Sequence, residues 1–312
     1  MNFFVCINDA LRVIHKNYQL IFIHFLFVFV AFFSLFFIMS VPLGVLFIVF
    51  GIDLTEILRG SFFEIVISSI SLLKKFLIIA IVFLVTLLVY IVFVSGLWIY
   101  IFSGTVGIMY MFLDKNINFK WKNFHRIAKS YFWKVAVSAI YYGVIFIILT
   151  IVFTIIREVT ITFINSIEKF SHFLSVFLSV FIYLSLFLSG IFVFLIWITY
   201  TFFGFFGIFV KKLTVKEAIK ESKTLIKKNP KSIGMAALLF AIYILMGGVI
   251  LFFTSLLAII PYVGAILVAI YQLLTQFAHV YISLVVFAAF FVYYLRFIYK
   301  EQSESDKLRC GD

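Results

Sequence analysis

Charged residues are scarce in this sequence, and none of its carboxylates falls in the middle of a long apolar run. Only 12% of the 312 residues are charged, against about 25% in soluble domains. The apolar share is 65% and the mean hydropathy is +1.24, which is more apolar surface than a soluble fold can bury. These values exclude an ordinary cytosolic enzyme, a disordered chain and a disulfide scaffold, and they predict an integral membrane protein.

Residue patterns that carry chemistry are equally few. Cys6 and Cys310 lie near opposite ends without CxxC spacing, which predicts free thiols and no metal site. The 13 carboxylates avoid the predicted span cores, whereas coupled transporters usually hold an ionisable group at membrane depth. A P-loop, an H-E-x-x-H motif and a nucleophile elbow are absent from the sequence. We therefore predict no enzyme activity, no metal, no cofactor and no coupled transport.

Apolar runs that match the length of a membrane span, about 20 residues, occur along most of the chain. Two of them are each 38 residues long, and a helix of that length extends about 57 Å, nearly twice the ~30 Å hydrocarbon core. Each long run is therefore either one projecting helix or a pair of short spans. The six runs cover residues 18–50, 76–113, 135–156, 173–210, 232–260 and 264–299.

The distribution of Lys and Arg decides between these alternatives. Six spans place 20 basic residues on one side and 5 on the other, whereas splitting either long run would put strongly basic segments on both sides. The positive-inside rule assigns the basic side to the cytoplasm. We predict an all-α polytopic bundle with one transmembrane domain over residues 1–299 and a polar tail at 300–312. Both termini are expected in the cytoplasm and the bundle in the plasma membrane.

A repeat is visible along the chain. The sequence G-T-V-G-I at residues 104–108 recurs as G-F-F-G-I at 204–208, 100 positions later. A basic amphipathic stretch follows each motif, and a similar stretch opens the chain around Asp9. The pattern predicts three pseudo-repeats, each with a basic amphipathic helix, a span, an outer loop and a long return span.

Basic amphipathic helices are predicted beside the spans. Thr214 and Glu217 match a capping box, and the apolar residues between Val215 and Ile226 share one face opposite the lysines. A similar face covers residues 117–133, and residues 51–75 predict an outer interfacial helix. We expect such helices to lie in the interface with the apolar side toward lipid. The predicted contacts to anionic lipid are Lys216, Lys220, Lys223, Lys227, Lys120, Lys122 and Arg126.

A polar stripe runs along the last span. Gln272, Gln276 and His279 follow i, i+4, i+7 spacing, so we expect this face to point into the bundle. One interpretation is a hydrophilic pocket for a headgroup or a polar solute. The other is interhelical hydrogen bonding that fixes packing, worth roughly 0.6 to 2 kcal/mol per contact. A serine–histidine hydrolytic pair that uses His279 is a third interpretation.

The segment 174–299 carries a family resemblance. Its motifs are a basic amphipathic segment, an apolar span, a tight turn and a long last span, represented by Ala218, Ile219, Lys227, Lys228, Pro261, Gly264, Gln272, Tyr293 and Tyr294. In these it resembles a poorly characterised prokaryotic family of six-span integral membrane proteins, related to the membrane domain associated with glycerophosphodiester phosphodiesterases. The resemblance implies the helical fold. These 312 residues contain no soluble phosphodiesterase domain, so that activity is not implied.

Three functions fit these observations. We predict a non-enzymatic membrane component that organises lipid or a partner through its basic collar. The alternative is an uncoupled carrier or lipid translocator that uses the stripe from Gln272 to His279, and the third is an intramembrane hydrolase. The expected partners are membrane lipids with anionic headgroups and a membrane protein. Nucleic acid is not expected, because the basic residues lie next to spans.

Overall fold

The computed structural model describes residues 3–50, 62–169, 171–258 and 264–299, and these ranges consist of helices joined by short connections, without any strand. Two π-helical turns, Phe36–Ser40 and Tyr294–Tyr299, follow the second and the last helix. The α-helices in chain order are α1 (Phe3–Lys16), α2 (Gln19–Leu35), α3 (Val41–Phe50), α4 (Phe62–Lys115), α5 (Trp121–Glu168), α6 (His172–Val210), α7 (Val215–Lys228), α8 (Lys231–Ala258) and α9 (Gly264–Tyr293).

Six helical segments within the described ranges are long and apolar enough to cross a membrane. The prediction of an all-α, six-span, multi-pass membrane protein is therefore confirmed. The two longest apolar runs lie in α4 and α6 without interruption, so neither is a pair of spans. The six segments are Gln19–Val45, Leu77–Lys115, Trp121–Glu168, His172–Val210, Lys231–Ala258 and Tyr271–Tyr299.

Two predicted interfacial helices are parts of longer helices. The stretch 117–133 and the span 135–156 were expected to be separate, but α5 runs through both from Trp121, because no proline occurs in this helix and no glycine lies between the two segments. Residues 62–75 belong to α4, so the expected separate outer helix at 51–75 does not form over those positions. Residues 51–61 lie outside the described residues. So do residues 259–263, which include Pro261 of the predicted Pro261–Gly264 turn.

The chain divides into two compact units. The smaller unit, Phe22–Phe102, contains most of α2, all of α3 and the larger part of α4. Its described side chains are largely exposed and apolar, as in Phe32, Leu84 and Val92. Such a surface suits contact with lipid, which requires no polar outer face. The larger unit comprises Met1–Ile21 and Ser103–Asp312, and it contains the candidate site.

The larger unit has two zones along its helices. Runs of exposed large apolar side chains extend over residues 140–156 of α5, 173–192 of α6 and 238–256 of α8. These runs are roughly 24 to 29 Å long, which is close to the ~30 Å hydrocarbon core of a bilayer. The side chains become buried toward one end, which we call the packed end. It consists of α1, α7, residues 103–115 of α4, 121–138 of α5, 195–210 of α6, 231–239 of α8 and 284–299.

Aromatic rings join α6 to α9 at the packed end. Phe206 is fully buried, and its ring centroid lies 5.6 Å from that of Phe287, 4.8 Å from Phe291 and 5.4 Å from Tyr294. Aromatic pairs of this kind contribute about 0.5 to 1.5 kcal/mol each beyond the burial of their area. The rings therefore supply a large share of the contact between these two helices.

Small residues let α4 and α5 approach closely where the chain turns from one helix to the other. A Cβ atom added at Gly104 would overlap the ring of Phe124, and one added at Gly107 would overlap the side chain of Ile127. The first G-x-x-G motif thus provides the surface against which the beginning of α5 packs. Glycine is required here for space, since both positions are regular helix.

Replacement of Gly104 by alanine is expected to lower stability. The new methyl group would collide with the buried ring of Phe124, and overpacking of this kind costs about 1 to 3 kcal/mol. Gly143→Ala in α5 is the matched control, because nothing lies within 4 Å of its Cβ position and alanine favours a helix over glycine by about 1 kcal/mol. Thermal unfolding in detergent should show a lower midpoint for Gly104→Ala only. Equal midpoints would contradict the close contact.

Truncation of Phe206 tests the aromatic contact between α6 and α9. Phe206→Ala removes a fully buried ring and should cost about 3 to 5 kcal/mol. Phe187→Ala is the matched control on the same helix, since Phe187 is 65% exposed. Denaturant unfolding of both variants in the same detergent measures the difference. A Phe206→Ala variant as stable as Phe187→Ala would show that the rings do not hold the packed end together.

Candidate functional site

Helix α7 is amphipathic, and its apolar face packs on the protein. Its first turn is closed by the predicted capping box: the backbone N–H of Thr214 donates to Glu217 Oε2 at 2.9 Å, and Thr214 Oγ1 accepts from the backbone N–H of Glu217 at 3.4 Å. Hydrogen bonds from the backbone and hydroxyl of Thr214 hold the pKa of Glu217 below its usual value. Ala218, Ser222 and Leu225 are buried, so the expected placement of this face on lipid was wrong.

The end of α6 holds α7 through polar contacts. Lys211 forms an ion pair with Glu221, and the Lys211 ammonium also lies 5.5 Å from the ring centroid of Tyr299. The hydroxyl of Tyr200 donates to the backbone oxygen of Ile219 at 3.4 Å. These contacts join α6, α7 and the C-terminal π turn, and they fix which face of α7 is turned outward.

The basic face of α7 is exposed as a consequence. Four of the seven residues predicted to contact anionic lipid lie on this face, and the other three lie immediately before or within the first turns of α5. All seven are exposed: Lys216, Lys220, Lys223, Lys227, Lys120, Lys122 and Arg126. The basic residues of α5 lie far from the exposed apolar run of that helix. Arg126 is 14 residues before Ile140, roughly 21 Å from the beginning of the run.

The polar stripe of the last span is divided in the structure. Gln272 and Gln276 are exposed, whereas His279 is half-buried, with its ring centroid 6.4 Å from that of Tyr243 on α8. The expected inward orientation is thus found for His279 and not for the two glutamines. The hydroxyl of Ser283, one turn further along α9, donates to the backbone oxygen of His279 at 2.6 Å, not to the imidazole ring.

Helix α1 packs along α9 and is held by polar contacts at its middle and near its C-terminal end. Asp9 Oδ2 lies 2.5 Å from Arg296 Nη2, and His15 Nε2 lies 2.8 Å from the hydroxyl of Tyr281. The side chain of Asn17, which is fully buried, accepts a hydrogen bond from the backbone N–H of Phe119 at 2.7 Å. The turn after α1 is thereby tied to the connection between α4 and α5.

Two adjoining cavities open at the tip of the packed end, between α1, the end of α4 and the C-terminal π turn. The first, of about 490 Å³, is lined by Asp9, Arg12, Phe112, Leu113, Asp114, Lys115, Asn116 and Arg296. The second, of about 570 Å³, is lined by Tyr110, Leu113, Asp114, Val292, Leu295, Arg296, Phe297 and Tyr299. They share Leu113, Asp114 and Arg296. The volumes are in the range of small-molecule sites, about 300 to 1,000 Å³.

The sequence analysis did not identify these cavities, because their residues come from three distant parts of the chain. Helical spacing within one segment reveals a stripe such as Gln272–His279, but it does not reveal which helix ends meet. A weak signal was present: Asp9, Asp114 and Arg296 are charged residues at the predicted basic boundaries of three different spans. A third cavity, of about 240 Å³, is apolar and lies between α6, α8 and α9.

No group of three or more His, Cys, Asp or Glu side chains that could hold a metal ion occurs in the described part of the chain.

The reactivity of Cys6 provides a test of the docking of α1. Cys6 is fully buried, and burial raises the pKa of its thiol. In a Cys310→Ser background, maleimide should label Cys6 slowly at neutral pH and faster as the pH rises and the thiolate forms. Arg296→Gln removes the ion pair to Asp9 and should speed labelling about fivefold, which corresponds to about 1 kcal/mol. Loss of the Arg296 charge by itself raises the pKa of the thiol and would slow labelling, so faster labelling reports opening of α1. Asn8→Ala, at an exposed neighbouring position, is the control. Equal rates in both variants would show that the ion pair does not hold α1.

Comparisons with protein-family models, with curated proteins and with solved structures found no match. The resemblance to the family related to the phosphodiesterase-associated membrane domain stays a prediction.

Proposed function

We propose that the protein is a non-enzymatic, multi-pass component of the cell membrane that binds anionic lipid headgroups beside its packed end. The observation that carries this proposal is the exposed lysine face of α7. The apolar face of α7 is used in contacts with α6, so the lysines Lys216, Lys220, Lys223 and Lys227 face outward together. A row of cations on a rigid helix attracts phosphate groups.

The connection between α7 and α8 brings this face toward the membrane. Helix α8 begins at Lys231, only seven residues before Leu238, where its exposed apolar run starts. Seven residues correspond to roughly 10 Å, so the end of α7 lies near the headgroup layer. Lys227 and Lys228 are therefore better placed for lipid contact than Lys120 and Lys122, which lie at the tip of the packed end.

The uncoupled carrier receives less support from the same structure. A carrier that moves polar solutes along the last span would use Gln272 and Gln276 inside the bundle, and both side chains are exposed in the larger unit. Neither glutamine lines any of the three cavities described above.

Charge removal on α7 tests the proposal. The variant with Lys216, Lys220, Lys223 and Lys227 all changed to glutamine should retain fewer phosphatidylglycerol molecules in native mass spectrometry. The expected loss is at least tenfold in apparent affinity, because each lysine near an anionic surface contributes about 1 kcal/mol. Retention by wild type should also fall with added salt, which screens exposed charges.

Two controls separate lipid recognition from general charge. The same four positions changed to arginine should keep phosphatidylglycerol bound, since the charge is preserved. Arg157→Gln with Lys169→Gln neutralises two exposed cations at the opposite end of α5 and should leave retention unchanged. The proposal fails if the four-glutamine variant retains phosphatidylglycerol as wild type does, or if phosphatidylcholine is retained equally.

A further inference from the structure

The two tip cavities differ in their chemistry although they adjoin. We call the cavity with Arg12 and Lys115 the cationic cavity and the one with Tyr110 and Tyr299 the aromatic cavity. Asp114 and Arg296 line both, so one small molecule can reach groups in each.

The cationic cavity is lined by three cations and two carboxylates, so its net charge is positive. Asp9 is engaged by Arg296 in the ion pair, which also orients the guanidinium. Arg12 and Lys115 form no hydrogen bond or ion pair through their side chains with other described residues. Two cations without a described partner, beside an oriented guanidinium, are suited to a carboxylate or phosphate group, which takes several charge-assisted hydrogen bonds at once.

The aromatic cavity is suited to the opposite charge. Its lining combines three aromatic rings, those of Tyr110, Phe297 and Tyr299, with the carboxylate of Asp114 and the guanidinium of Arg296, whose charge is paired with Asp9. An ammonium group binds over an aromatic ring at up to about 6 Å, and a carboxylate adds a direct partner. The Lys211 ammonium already lies 5.5 Å from the ring centroid of Tyr299, so we assign the ammonium of a ligand to the rings of Tyr110 and Phe297.

The position of the cavities indicates a soluble ligand. The exposed apolar run of α8 begins at Leu238, five residues before Tyr243, whose ring centroid lies 6.4 Å from that of His279 on α9. The apolar zone therefore reaches about residue 284 of α9, and Arg296 lies 12 residues, roughly 18 Å, beyond it, whereas the headgroup layer extends only about 5 to 8 Å beyond the hydrocarbon core. A lipid headgroup in the bilayer therefore does not reach this site.

We infer that the tip of the packed end binds a small soluble zwitterion with one ammonium group and one carboxylate or phosphate group. The anionic group lies against Arg12, Lys115 and Arg296, and the ammonium group lies against Asp114 and two rings of the aromatic cavity. The C-terminal π turn places Arg296 between the two groups, and π-helical turns are frequent at functional sites. This site is separate from the lysine face of α7, so it goes beyond the proposed lipid contact.

Binding to the full chain in detergent tests the inference. Isothermal titration uses four probes: phosphoethanolamine, β-alanine, inorganic phosphate and ethanolamine. Phosphoethanolamine or β-alanine, or both, should bind at least tenfold more tightly than inorganic phosphate and ethanolamine, which each carry charge of one sign only. Arg12→Gln should weaken the zwitterion about tenfold, which is the effect of losing one charge-assisted hydrogen bond. Asp114→Asn should reduce the affinity for the zwitterion to that of its anionic part alone.

Control variants separate loss of the binding site from general effects of charge removal or unfolding. Lys16→Gln removes a cation from the same helix as Arg12 but outside the cavities and should leave zwitterion binding unchanged. Arg12 and Asp114 form no hydrogen bond or ion pair with other described side chains, so their variants should unfold at the wild-type temperature. The inference is overturned if no zwitterion binds, if phosphate alone binds as tightly, or if Arg12→Gln has no effect. The α7 glutamine variant should bind the zwitterion normally, so this test and the lipid test fail independently.

Discussion

The length of the long helices is the constraint on which the packed end depends. Helix α6 has 39 residues, about 58 Å of helix against a hydrocarbon core of ~30 Å. Lipid covers the exposed apolar run of residues 173–192, and the remaining apolar surface toward Val210 must be covered by protein. Helix α7 and the rings of α9 provide that cover, which explains why residues 203–210 of α6 are all buried.

The charge distribution at the packed end follows from the same constraint. Once the apolar faces of α1 and α7 pack on the neighbouring helices, their charged faces can only point outward. A few charged side chains form ion pairs between helical segments, as Asp9 does with Arg296 and Lys211 with Glu221. The lysines of α7 and the side chains of Arg12 and Lys115 have no ion-pair partner among the described residues and lie exposed at the surface, where they can bind a ligand.

Sequence patterns predicted the features that arise within one segment of chain. The six spans, the continuity of α4 and α6 and the capping box at Thr214 all follow from hydropathy, charge parity or local spacing. The prediction that α7 lies with its apolar face on lipid was wrong, because an amphipathic pattern has the same form whether the apolar face meets lipid or protein. The inward orientation of Gln272 and Gln276 was not found for the same reason. Helical spacing shows which residues share a face, but it does not show what that face contacts.

By itself the sequence determined that the chain is a helical membrane protein with its cations gathered on one side, because span length and loop charge are local quantities. Only the tertiary structure decided which helix ends meet, and therefore that Asp9, Asp114 and Arg296 line the same pair of cavities. Contacts between residues more than 100 positions apart depend on packing complementarity across helices. The close approach of Phe124 to Gly104 and the ring contact between Phe206 and Phe291 are likewise properties of three-dimensional shape that no periodicity within one segment records.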